Sequence, residues 1–310
     1  MVWSRFFPLI TALPFLVLAF VGTGACLDDQ DEVVDTCYST TRTFLRAAAT
    51  GEDHVESVLS RPWLEVPLHL YGPISTTRRA TLEERFFLVF DEPMTAYLRS
   101  LGAPLHKLAV HAFPGNEVFA RGEVLAACRS LLTKVNGFYQ PQDHSLILYY
   151  QVENPVVHEA AHALDDLLET YGFGWGTYFS RNGGIGDLYA AHQEGRALGN
   201  PVSEYANTNE LEYFAESLAA YHDQDSRLRR SDPAMWYLLH TFLDGTSPDR
   251  YNKGVFSAEH IDHTLTTLTS SNLPTAFEQP EEALLRLDEL IGPAPAFEEP
   301  DPSWRYNLPD

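Results

Sequence analysis

Residues 154–172 read NPVVHEAAHALDDLLETYG, and within them His158-Glu159-Ala160-Ala161-His162 is an H-E-x-x-H string. The surrounding residues predict a single helix. Asn154 suits an N-cap, Pro155 suits the first helical position, where its missing N–H costs nothing, and Gly172 stands where a helix of this length would stop. Val157, Ala161, Leu164, Leu168 and Tyr171 recur at spacings of three and four and make one apolar face. His158 and His162 lie four apart, so their rings project from neighbouring turns on one side. Two imidazoles held that way can share one Zn²⁺, each about 2.0–2.1 Å from it, and Glu159 beside them can act on a metal-bound water as general base. The string alone is a weak signal; the capped, apolar-faced helix around it strengthens it.

At 310 residues, with 45% hydrophobic and 12% aromatic residues, the chain is long enough to bury a sizeable core. Its formal net charge of −22 argues against a nucleic-acid partner, because phosphate contacts need clustered Lys and Arg. Residues 1–25 read as an export signal: Arg5 supplies the positive region, Phe6 to Val21 is mostly apolar, and Gly22-Thr23-Gly24-Ala25 gives small residues for cleavage. Cys26 would then stand first, a position that suits a lipid anchor, so free secretion and anchoring at the cell surface both stay open. Export puts Cys26, Cys37 and Cys128 in an oxidising compartment, with their pairing open.

Residues 26–37 form an acidic linker, and residues 38–104 read as a helical N-terminal part. From 105 to 275 the pattern changes to strands and then helices. Lys107 to Phe113 has strand character, Gly122 to Val135 suits a helix, and Phe138-Tyr139 and Leu146 to Tyr150 flank a turn at Pro141-Gln142-Asp143, as in a hairpin. The second hairpin strand, running almost directly into the H-E-x-x-H helix, is placed to offer its edge to an extended peptide. A Gly- and aromatic-rich connection over 173–203, with a short helix near Leu188 to Leu198, leads to a second helical block, and Met235 to Leu243 reads as a further helix. Residues 276–310 read as an acidic, Pro-rich tail.

The second block is SEYANTNELEYFAESLAAYH, residues 203–222. Asn207 or Thr208 suits its N-cap, and Leu211, Phe214, Ala215 and Leu218 make its apolar face. Glu212 and Glu216 lie four apart on another face, where like charges ordinarily destabilise a helix unless one ligates a metal and the other holds a ligand His. Composition alone would assign them to a solvated acidic face, and Asp187, His192, Glu194, Glu204 and His222 are rival third ligands.

The two blocks together resemble the catalytic domain of anthrax lethal factor and its relatives, which include secreted Pro-Pro endopeptidases. The likeness runs chiefly over residues 138–222 and more weakly over 105–137. It implies an α+β, zincin-like metallopeptidase domain: a small sheet packed on the H-E-x-x-H helix, and a mainly helical C-terminal part. It implies one Zn²⁺ per chain on His158, His162 and Glu212, with Glu159 as general base and Tyr205 assisting catalysis. Tyr213 stands where the family commonly has Phe, and Ala160-Ala161 replaces a bulkier pair. Asp165, Asp166 and Glu216 are candidates to accept a ring N–H from a ligand His. The expectation is an exported zinc endopeptidase acting on a protein or peptide substrate. The competing class is a non-catalytic zinc-binding interaction module on the same scaffold, against which the intact Glu159 and Tyr205 count.

Overall fold

Strands β1 (His54–Arg61) and β2 (Leu64–Tyr71) form an antiparallel hairpin around Pro62-Trp63. In β2 the period is two: Leu64, Val66, Leu68 and Leu70 are buried on one face, while Glu65 and Pro67 are exposed on the other. This hairpin lies inside the stretch read as helical. Its alternating run is short and carries a proline, which weighs against a strand and leaves a weaker signal than a long helical period. The computed structural model describes residues 41, 43, 45, 54–114, 136–149, 155–173, 179–181, 184–243, 250–270 and 280–295. The export signal, the acidic linker, Cys26, Cys37, Cys128, the 122–135 helix, Asn154 and the end of the tail lie outside these residues.

Helices α1 (Thr76–Val89) and α2 (Glu92–Ser100) carry the chain to β3 (Ala109–Phe113), which runs parallel to β2, as a helical crossover permits. Both helices start at side-chain caps: Ser75 accepts from the Arg78 N–H, and Asp91 from the Met94 N–H. The expected hairpin follows as β4 (Gly137–Gln140) and β5 (Ser145–Tyr149), turned through Pro141–Asp143 and a left-handed His144. The strand order is β1-β2-β3-β5-β4. β5 therefore lies inside the sheet, parallel to β3, and the edge nearest the H-E-x-x-H helix is β4 rather than the strand expected.

Helix α3 (Pro155–Leu168) packs on one face of the sheet, against β4 and β5. Every residue of it except Asp166 is buried. The expected apolar face is there, but Ala160, Ala163 and Leu167 on its other sides are buried too, because α3 is central rather than peripheral. α3 does not end at Gly172. It passes into a π turn, Glu169–Phe173, within which Gly172 lies. A Cβ on Gly172 would sit 3.2 Å from Leu101 Cδ1, and the Lys253 ammonium donates to the Gly172 carbonyl. That glycine serves close packing, and a cation from a later element satisfies a helix-end carbonyl.

The remaining helices are α4 (Gly184–Gln193), α5 (Glu210–Ser231), α6 (Pro233–Leu243), α7 (Ala258–Ser270) and α8 (Pro280–Ile291). Among the described residues, no helix is long and apolar enough to cross a membrane. α8 lies in the stretch read as a tail, yet Leu287 and Ile291 are buried in the common core and Tyr237 donates to Asp288. Buried Asp232 locks three helices together. It accepts from the Met235 N–H at the head of α6, hydrogen-bonds His192 of α4 at 2.9 Å, and accepts from the Tyr213 hydroxyl of α5.

Candidate metal centre

The centre forms where α3 and α5 pack together. Asn209 caps α5, its side-chain oxygen accepting from the Glu212 N–H at 3.0 Å. The cap is thus two residues beyond Asn207, one beyond Thr208, and the capping bond ends on Glu212 itself. From α3, His158 Nε2 and His162 Nε2 stand 3.1 Å apart. Glu212 Oε2 lies 2.9 Å from the first and 3.6 Å from the second. All three side chains are buried. Two ligand atoms about 2.0–2.1 Å from a tetrahedral centre are about 3.3 Å apart. The observed separations bracket that figure, so the three donors fit one tetrahedral cation and leave its fourth position to water or substrate.

A second set of contacts fixes the donors. His158 Nδ1 is 3.0 Å from Glu216 Oε1, and Glu216 Oε2 accepts from Ser203 Oγ at 2.7 Å. Ser203 Oγ in turn accepts from the Ala206 N–H at 2.9 Å, which ties the turn carrying Tyr205 to the same network. A carboxylate on the far nitrogen of a ligand His fixes its tautomer and ring plane. Burial alone would raise the Glu212 carboxyl, but the His162 charge and hydrogen bonds from His158 and His162 hold it well below the usual carboxylate range. Burial likewise opposes ionisation of Glu216, which its bond to His158 nevertheless brings below the ordinary value. Both shifts favour the anionic carboxylate, the form a cation site needs.

Glu159 is next to His158 and points toward β4. Burial raises its pKa; the His158 and His162 charges and a hydrogen bond from the Tyr139 backbone N–H pull the other way. A Cβ on Gly137 would sit 3.0 Å from Glu159 Cγ and 3.2 Å from Oε1. Only the absence of a side chain there lets the strand approach the carboxylate so closely. Tyr205 lies on the turn before α5, its ring centroid 5.6 Å from that of His158. Asp165 accepts from the Ser180 N–H at 2.7 Å and from its hydroxyl at 2.5 Å, and burial pushes its carboxyl up to about 7 against those bonds. Asp166 accepts from the Tyr139 hydroxyl at 2.6 Å, joining α3 to β4.

The rival ligands are elsewhere. His192 is held by Asp232, Glu194 by Arg196, Asp187 and Glu204 are exposed, and His222 is ten residues along α5 from Glu212, or about 15 Å of helix. The sequence reading missed Gly137, the Tyr139 N–H and Ser203; each matters through a backbone position or a tertiary contact that carries no motif. It also missed a second group of possible metal donors, His54, Glu56 and His69. The signal available there was alternation along two adjacent strands. No family model and no curated protein matches the chain.

Proposed function

We propose that this chain is an exported zinc endopeptidase with a zincin-like fold. The convergence of His158, His162 and Glu212 at 2.9, 3.1 and 3.6 Å, with Glu159 beside them, carries the reading. Bound zinc would lower the pKa of its water toward about 7 and polarise a scissile carbonyl. Glu159, buried and with a raised pKa, accepts the proton of the attacking water at a carboxylate oxygen and delivers it to the departing amine. The Tyr205 hydroxyl is assigned to the developing oxyanion. Glu216 and Ser203 act by positioning His158 and the Tyr205 turn.

Strand β4 supports a peptide as substrate. Among the described residues it pairs only with β5, and the Tyr149 N–H donates to the Asn136 carbonyl. Alternation in an antiparallel ladder then turns the Gly137 and Tyr139 backbone groups to the other edge, the edge at which the Tyr139 N–H meets Glu159. An extended peptide adding along this edge would pass the proposed centre. The test is to incubate the mature chain with a diverse peptide library and identify new termini by mass spectrometry. Cleavage by the wild type and not by Glu159→Ala is the expected result. No cleavage by the zinc-loaded wild type would favour the non-catalytic interaction module.

A further inference from the structure

The sheet has a second concentration of metal-ligating side chains, on the face turned away from α3. Gly137, whose missing Cβ points at Glu159, pairs with Leu148, and the same row across the sheet continues through Ala112, Leu70 and Val55. The neighbouring row, on the opposite face, runs Ile147, His111, His69 and Glu56. His54, two residues before Glu56, belongs to that face as well. The strand register therefore brings His54, Glu56, His69 and His111 together from three strands.

Their geometry suits a cation. His54 Nε2 and His69 Nδ1 are 3.2 Å apart, and one donor atom from each of His54, Glu56 and His69 lies within 4.8 Å of the others. The rings are held in place by stacking: His54 on Tyr71 with centroids 5.0 Å apart, Tyr71 on Phe113 at 4.2 Å, and His69 on His111 at 4.7 Å. His111 does not need to ligate, because its Nδ1 is hydrogen-bonded to the Tyr71 hydroxyl at 2.9 Å. Glu56 is exposed and His54 and His69 are partly exposed, so solvent can complete the coordination. Two imidazoles and one carboxylate suit Zn²⁺, Ni²⁺ or Cu²⁺, with Cu²⁺ bound tightest, and do not suit Ca²⁺ or Mg²⁺, which take oxygen donors.

We propose that His54, Glu56 and His69, brought together at the open end of the β1–β2 hairpin, bind a divalent transition-metal ion independently of the buried cluster. His54 is the first residue of β1, and it pairs with Tyr71, the last of β2. An ion there clips the hairpin end opposite the Pro62-Trp63 turn and opposes fraying of β1, the outer strand of the sheet. Ion binding to the folded state also raises stability by mass action.

The experiment uses the full chain without a polyhistidine tag, titrated with Zn²⁺ and separately with Cu²⁺, with stoichiometry read by equilibrium dialysis and elemental analysis. Wild type is expected to bind two equivalents. His54→Gln and Glu56→Gln should each bind one, and His158→Ala/His162→Ala should also bind one. Cu²⁺ on that last variant should show nitrogen hyperfine splitting from imidazole in its electron paramagnetic resonance spectrum, lost when His54→Gln is added. His54 and Glu56 lie at the solvent-facing start of an edge strand, so these changes leave the core untouched, and circular dichroism checks the fold. If the buried-site variant binds no metal, or if His54→Gln leaves its stoichiometry and spectrum unchanged, His54 and His69 share only a hydrogen bond and the proposal is overturned.

Discussion

The protein builds the same donor set twice, two histidines and a glutamate, on two kinds of scaffold. In the buried cluster, two donors come from one helix four residues apart and the third from a helix packed across it. In the sheet cluster, two donors come from one strand two residues apart and the third from the neighbouring strand. The helical site is enclosed, and its His158 is held from behind by Glu216 and Ser203. The sheet site lies at the surface, its rings ordered by stacking rather than by a buried carboxylate. Donor identity can recruit a metal in both places. Of the two, only the helical cluster has a further buried carboxylate, Glu159, beside its donors, and so only there is a candidate base present for the proposed reaction.

The comparison breaks most readily at Glu159. If, as proposed, Glu159 is a base and not a ligand, Glu159→Ala should lower peptide cleavage by about 10²–10⁴-fold while leaving the metal stoichiometry unchanged. Loss of metal along with activity would make Glu159 part of the binding site. Tyr205→Phe should slow turnover by about 10²–10³-fold with unchanged metal content if its hydroxyl stabilises the oxyanion. An unaltered kcat would remove Tyr205 from the chemistry and bring the two clusters closer in kind.

Glu216→Ala sharpens the contrast in metal affinity. Losing the carboxylate behind His158 should weaken zinc binding at the buried centre about 10–100-fold, measured by competition with a chelator, and should leave the sheet cluster unaffected. Activity at saturating zinc should largely return, as befits a positioning residue.

The smallest effect is expected in stability, away from both clusters. Burial lowers the His222 pKa to about 4, the nearby Asp223 charge opposing it. The folded state keeps this imidazole neutral, whereas the unfolded chain protonates it near its ordinary value of 6.5. Stability from this group is therefore fully present above pH 6.5 and is lost as pH falls toward 4, by roughly 3 kcal/mol. Denaturant unfolding of His222→Gln should show a shallower decline over that window. An identical slope in both proteins would show that His222 is not the group responsible.

Several features were legible because they follow from local rules. The H-E-x-x-H helix, the β4–β5 hairpin, the α5 block and α6 each announce themselves by periodicity or by turn residues, and the spacing of His158 and His162 places both rings on one side of a helix. The β1–β2 hairpin escaped notice because Pro67, which has no N–H to give a ladder, weighs against an alternating run of only eight residues. Helix α8 was obscured by the prolines and acids around it, although Leu287 and Ile291 sit four apart on its core-facing side. At the end of α3, the expected stop at Gly172 falls within the π turn that follows the helix, where Leu101 packs close to it and Lys253 donates to its carbonyl.

The sequence by itself determined which residues could carry chemistry: the two histidines and the glutamate within one helical string, the paired Glu212 and Glu216, and Tyr205. Helix geometry, fixed by spacing, did so for the two histidines, Glu159 and the Glu212–Glu216 pair, whereas Tyr205 and the ligand role of Glu212 stood on the family resemblance. Tertiary structure decided the rest. It brought Glu212 to His158 and His162 across some fifty residues of chain, gave Glu216 to His158 and His192 to Asp232, and set Gly137 against Glu159. It also aligned His54 and Glu56 with His69 through strand register. These choices depend on how faces are buried against one another, a collective property of the packed core that no local window of residues contains.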